Sequence, residues 1–345
     1  MRLKDRFFCL AATVAICVCM AAISDAREAV IRSESVVKKN INMLRDKKTE
    51  HDAIVTLRRL KEDSVEQLII LAGDSKEKPS VRITAIEIMG DIKSSLATDC
   101  LLELLKDTNV KIRRASARAL GKIADKKAVE GLKSSLKDFD AETRFLSASA
   151  LKQISVSDLS QTFMQLLDDP DIRIRILGIS GLGDIKEEAA VERLSLMAGD
   201  NNDEIRLNVA IAFGKIKSKS ALPAINKLLE DRNINVRKEA LKAMGGIGDP
   251  SSIPYLITIA ERDNKDLRYA ATLALGDIGT DEVIPVLKKL MKDEIIDIRI
   301  AAIRSLAKIG HPEFREEFEP LLKDESTKVR REAQAALLTM ESKNK

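Results

Sequence analysis

The chain has 345 residues, with 58 Lys and Arg against 54 Asp and Glu, a formal charge of +4, two histidines and no tryptophan. Its basic and acidic residues interleave, which argues against nucleic acid as a partner, because that needs a concentrated basic footprint, and against a polybasic membrane-surface role. His51 and His311 lie at opposite ends and no Cys/His zinc spacing occurs, so neither a metal, a cofactor nor a nucleophile–base pair is expected, and the chain reads as a non-enzyme.

Residues 1–26 have the form of a secretory signal peptide. Arg2, Lys4 and Arg6 are followed by the apolar or small run Phe7–Ile23, and Ser24-Asp25-Ala26 offers small residues for cleavage. The chain is therefore expected to be periplasmic or secreted. An uncleaved N-terminal anchor is the alternative, the run being at the short edge for a membrane span. Cys17 and Cys19 follow Ile16 and Val18, which are bulky for a lipoprotein signal. With Cys9 they leave Cys100 as the one cysteine of a mature chain, a small packing residue on a first helix.

Residues 27–64 read as a helical N-terminal cap, with Val30, Val36, Val37, Ile41 and Leu44 on one face and Ile54, Leu57 and Leu60 in a degenerate second helix. From residue 65 to 341 one unit repeats. Arg82, Arg113, Arg144, Arg175, Arg206, Arg237, Arg268, Arg299 and Arg330 stand thirty-one residues apart without a slip. Taking each Arg as column zero, an aliphatic residue stands at column minus one, except for Thr143. A small residue fills most of column three, Leu, Met or Phe column seven, and Ile nearly all of column ten. These offsets share one face of a helix and no face of a strand. A first helix precedes it, with Leu101, Leu132, Phe163, Leu194, Ile225, Leu256, Leu287 and Phe318 in register and Pro223, Pro254 and Pro285 in its first turn. Asn109, Asp140, Asp171, Asn202, Asn233, Asn264 and Ser326 fit the N-cap of the second helix, and Pro79 its first position. The recurrent Gly90, Gly121, Gly183, Gly214, Gly245 and Gly276 are expected to close that helix. The repeat around Arg144 is the least regular, with Thr143, Lys152 and the polar Ser155–Gln161, and a soft joint is expected there. Residues 342–345 are a polar tail.

The pattern Asp-x5-Arg followed by Ala, Leu-Gly and Ile resembles the short HEAT-like repeats of the phycobilisome-lyase type. That resemblance implies an all-α fold: a right-handed α-solenoid of about nine helix–turn–helix repeats, first helices convex and second helices lining the concave side. It also implies an alternative function, that of a phycobilin-lyase-like protein handling a chromophore, for which no dedicated Cys, His or Tyr cluster is present. The His-Glu metal pairs of the HEAT-built deoxyhypusine hydroxylases are absent. A likeness to the HEAT-like alkylpurine DNA glycosylases is disfavoured by the small net charge and the absent tryptophan.

Asp107, Asp138, Asp169, Asp200, Asp231, Asp293 and Asp324 stand six residues before their Arg. Each is expected to accept from an Arg of its own or the adjoining repeat, forming a structural ladder, since the rigid guanidinium fork matches a carboxylate. Arg262 replaces the Asp of one repeat, which is expected to leave Arg268 without its usual partner unless Asp263 substitutes. Glu187-Glu188 and Glu316-Glu317 read as solvated surface. Columns one and five of the second helix point off the centre of the apolar arc. They carry Phe145, Ile176, Leu207, Tyr269 and Ile300 in column one and Ile211 and Leu273 in column five, beside Ile83, Arg114, Lys238 and Arg331. Two readings stand: an apolar contact patch for a protein or peptide partner, or inter-repeat core. The first makes the chain a scaffold or adaptor that binds on its concave face.

Overall fold

The computed structural model describes residues 34–154 and 159–343. The segment read as a signal peptide (1–26), Val30, the first part of the polar stretch (155–158) and the last two residues lie outside them. All regular structure among the described residues is helical. Residues 34–43 (α1), Glu50–Leu60 (α2), Glu62–Gly73 (α3), Pro79–Ile92 (α4), Thr98–Leu104 (α5), Val110–Ile123 (α6), Val129–Ser135 (α7) and Ala141–Ile154 (α8) come first. Then follow Ser160–Leu166 (α9), Ile172–Asp184 (α10), Val191–Met197 (α11), Asp203–Ile216 (α12), Leu222–Leu229 (α13) and Ile234–Ile247 (α14). Ile253–Arg262 (α15), Lys265–Ile278 (α16), Ile284–Leu290 (α17), Ile296–Ile309 (α18), Phe314–Phe318 (α19) and Thr327–Lys343 (α20) complete the chain. Contacts group it into two compact units, Met1–Val156 and Ser157–Lys345, dividing within the repeat that is least regular in sequence.

Each unit is an α-solenoid. Within each, every second helix packs along the next, α4 on α6 on α8 and α10 through α20 in even steps, whereas first helices pack mainly on their own partner. The second-helix layer is thus the tighter, inner one in both units. The apolar columns supply the cohesion. The first-helix column Leu101, Leu132, Phe163, Leu194, Ile225, Leu256, Leu287 and Phe318 is at most 2% exposed throughout. Columns minus one and seven are buried in every repeat, each Leu or Ile contributing roughly 1.5–3 kcal/mol of transfer energy. Most of column ten lies half-buried at the rim. Thr143, the polar exception, is buried with its hydroxyl donating to Asp140 at 2.8 Å. Column three faces the first helix of its own repeat: a Cβ on Gly178 would lie 2.8 Å from the Phe163 carbonyl oxygen, and Ser147 Oγ bonds Ser135 Oγ at 2.9 Å.

The caps form as the residue types require. Asn109, Asp171, Asn202, Asn233 and Asn264 accept from backbone N–H groups of the first turn that follows, and Asp140 accepts from the Thr143 N–H. Pro79 opens α4. A second set of caps was not legible in sequence: Ser94, Asp125, Glu187 and Asp249 cap short 3₁₀ turns that lead into the first helices. The recurrent glycines do not close the second helix. It runs two residues past them in five repeats and one residue past Gly183, and the residue three positions on from the glycine is left-handed in each: Lys93, Ala124, Lys186, Lys217, Gly248 and Gly279. Gly90, Gly121, Gly183, Gly214 and Gly245 instead touch Ala119, Ala150, Ala212, Ala243 and Ala274 of the following second helix. A Cβ on Gly245 would meet Ala274 Cα at 2.6 Å. The glycine sets the spacing of the inner layer.

In the segment read as a cap, Val37, Ile41, Leu44 and Leu57 are buried and Ile54 and Leu60 half-buried, while Val36 is exposed and leaves the predicted face. Cys100 is half-buried on α5, its Sγ 3.8 Å from the Ile69 carbonyl oxygen, and burial pushes its thiol pKa up, away from reactivity.

Candidate functional site

The Asp–Arg columns form a ladder with two kinds of bond. Nη1 of each Arg from Arg113 on, Arg268 apart, donates to the carbonyl oxygen of the residue six positions back, as Arg206 does to Asp200 at 2.7 Å. Nε and Nη2 reach forward to the Asp of the next repeat. Arg113 grips Asp138 at 2.7 and 2.9 Å, and Arg206 grips Asp231 at 2.5 and 2.9 Å. Arg82 binds Asp107, Arg268 binds Asp293 and Arg299 binds Asp324 through Nη2. Where no Asp stands in the repeat's own turn, Nε turns to a first-helix carbonyl: Arg82 to Ala72 and Arg268 to Ala260. The Arg206 hydrogen bonds hold the Asp231 carboxyl below the usual range. At Asp138 burial pushes up but is outweighed by Arg113 and the Asp140 N–H.

The expected gap falls elsewhere than at Arg268. A rung joins an Arg to the Asp twenty-five residues later, so the replacement at position 262 removes the carboxylate of Arg237, while Arg268 keeps Asp293. Arg237 retains its bond to the Asp231 carbonyl oxygen at 2.6 Å. Asp263 accepts from the side chain and backbone of Asn264 and pairs with neither Arg.

The apolar columns occupy both predicted environments. In the first unit Phe145 lies half-buried on α8. In the second, Ile176 on α10, Leu207 and Ile211 on α12, and Tyr269 and Leu273 on α16 are all half-buried, each presenting part of its surface at the inner layer. Ile300 on α18 is only 8% exposed and belongs to the core rather than to an open apolar patch. Lys238 and Lys242 of α14 separate the α10–α12 residues from those of α16. Arg304 of α18 binds Glu332 at 2.7 Å and lies close enough to Tyr269 for the two to interact electrostatically.

Sequence reasoning passed over Phe139, 98% exposed in the turn between α7 and α8. The signal was available: its column otherwise holds Thr108, Pro170, Asn201, Arg232, Asp263, Glu294 and Glu325. His311 and His51 are far apart in sequence. His311 stacks on Phe314 and contacts Glu313 and Asp281.

Helix pairs stacked in register, bound by an Asp–Arg ladder and presenting side chains along an inner helix layer, define a helical-repeat protein. The chain belongs to the HEAT-repeat family: HEAT repeats match residues 37–117, 65–152, 129–206, 193–275 and 256–338. The first match begins inside the segment read as a cap, at residue 37. Among solved structures, an engineered protein is similar at 20% identity and a TM-score of 0.52, over 89% of this chain and 99% of that one. A chain from the structure of Kap95p bound to RanGDP is similar at 13% identity and a TM-score of 0.63, over 89% of this chain and 51% of that one. At these identities the likeness is one of fold. No curated protein sequence matches.

Proposed function

We propose that this chain is an exported, non-enzymatic scaffold or adaptor that holds a protein or peptide partner on its inner, second-helix face. The observation that carries the reading is the group Ile176, Leu207 and Ile211. These are three aliphatic side chains left partly open on adjacent second helices, in a layer where column seven is closed to solvent. Partly open apolar side chains on a rigid helix layer give a partner's apolar residues a preformed surface, which lowers the ordering cost of binding. Family membership supports a holding role. Export rests on the form of residues 1–26.

Capture from an extracytoplasmic fraction tests this. The wild-type chain retains a defined partner, and Leu207→Asp loses it with its far-UV circular dichroism unchanged. Equal capture by the two removes the inner face from the proposal. N-terminal sequencing of the exported chain is expected to begin at Arg27. Visible absorbance of the purified protein would instead favour the chromophore-handling alternative.

A further inference from the structure

The first unit shows what a fully occupied rung holds. Arg113 grips Asp138, and its neighbour Arg114 grips Asp140 at 2.8 and 2.5 Å, so two adjacent cations take two carboxylates from the turn Asp138-Phe139-Asp140. Both carboxyls are held below their ordinary range, Asp140 chiefly by Arg114.

Four repeats further on, Arg237 and Lys238 stand in the columns of Arg113 and Arg114, and the columns of Asp138 and Asp140 hold Arg262 and Asn264. Neither cation pairs with a carboxylate among the described residues. Nε and Nη2 of Arg237, the atoms that Arg113 and Arg206 use on the next repeat's Asp, are left without one. Asn264 is turned to its own helix, accepting from the Asp266 and Leu267 N–H groups, and Asp263 is taken up by Asn264. Arg262 is exposed. Arg175 also has no ion pair among the described residues, but Asp200 still stands in its column. At Arg237 the carboxylate has been replaced by a further cation. Arg237 and Lys238, both half-buried, thus have an exposed cation, Arg262, in the column that elsewhere supplies a carboxylate, and like charges do not compensate one another.

We propose that Arg237, Lys238 and Arg262 form a docking site for an acidic segment of a partner protein. Two carboxylates of an Asp-x-Asp sequence take the positions that Asp138 and Asp140 fill for Arg113 and Arg114. The guanidinium fork of Arg237 receives one carboxylate bidentately, Lys238 receives the second, and Arg262 adds attraction from solvent. Lys238 shares its column with Leu207, so the site lies along the same helix layer as the apolar group. It rests on the reading of the chain as a holder of protein partners, yet its binding is measurable without that partner.

The test titrates the full chain with an acetylated, amidated peptide Gly-Ser-Asp-Phe-Asp-Ser-Gly and with its counterpart carrying Asn at both Asp positions, by calorimetry. The Asp peptide is expected to bind one to one, about tenfold or more tighter than the Asn peptide, and to weaken as salt rises from about 0.05 M to about 0.5 M. R262D, which returns the missing carboxylate to the chain, is expected to abolish binding without lowering the thermal midpoint. The double variant R237Q/K238Q loses binding through the other half of the contact, and Leu207→Asp keeps it. Equal binding of the two peptides, or R262D and R237Q/K238Q both binding as the parent does, overturns the proposal. Either result leaves the Leu207 capture experiment, and the reading it tests, to stand or fall separately.

Discussion

At the scale of single residues, the repeated arginine does two jobs with one planar group. Its Nη1 ties the second helix to the turn before it, and its fork ties that turn to the next repeat. Arg206 does both with its side chain 8% exposed, so truncation leaves the buried Asp231 carboxylate without its main partner. Arg206→Ala is expected to cost about 1–3 kcal/mol in urea unfolding, as for a charge-assisted, partly buried bond. Arg237→Ala removes only the carbonyl bond and is expected to cost clearly less. Equal losses would mean that the forward bond contributes nothing.

At the scale of the helix, two positions carry opposite demands on side-chain size. Gly245 needs to be bare, because its Cβ would press on the Ala274 backbone of the next second helix. Gly245→Ala gains helix propensity but forces α14 and α16 apart, and the net is expected to be a loss of about 1–3 kcal/mol in thermal or urea unfolding. Three residues further along, the helix needs a left-handed residue. Gly248, Gly279 and Gly310 adopt it without cost, whereas Lys217 is held at φ 60°. Lys217→Gly is expected to stabilise by about 0.5–1 kcal/mol, the gain from relieved strain being partly offset by the greater entropy of the unfolded chain. The same substitution at Lys215, inside the helix, is expected to destabilise.

At the scale of the whole molecule, the ladder makes stability depend on acid in a defined direction. The carboxyls of Asp138 and Asp231 have folded pKa values below their unfolded ones. Their contribution is therefore complete above the unfolded carboxylate value, about pH 4, and is lost as pH falls through the lower folded values. Thermal midpoints are expected to hold steady from neutral pH to about pH 5 and to fall below about pH 4. Asp231→Asn starts from a lower midpoint and falls less steeply. A parallel fall in the two proteins would detach the acid response from this rung.

The sequence by itself determined the helix–turn–helix unit, its length, the buried columns and most of the caps. Those follow from periodicity and from the chemistry of short stretches, which act over one or two turns. Only the tertiary structure decided which repeat a given residue serves. Arg262 was legible as a break in the ladder, but its consequence falls on Arg237 because a rung spans twenty-five residues forward. The glycine column looked like a helix end for the same reason: the Ala it touches belongs to the next helix, nearly one repeat away. Likewise Phe145, Ile176 and Leu207 share their column with Ile300, and packing around each repeat, not the column, fixes how much of the side chain stays open. Local sequence specifies a helix and its faces, while contacts between successive repeats assign each face its neighbour.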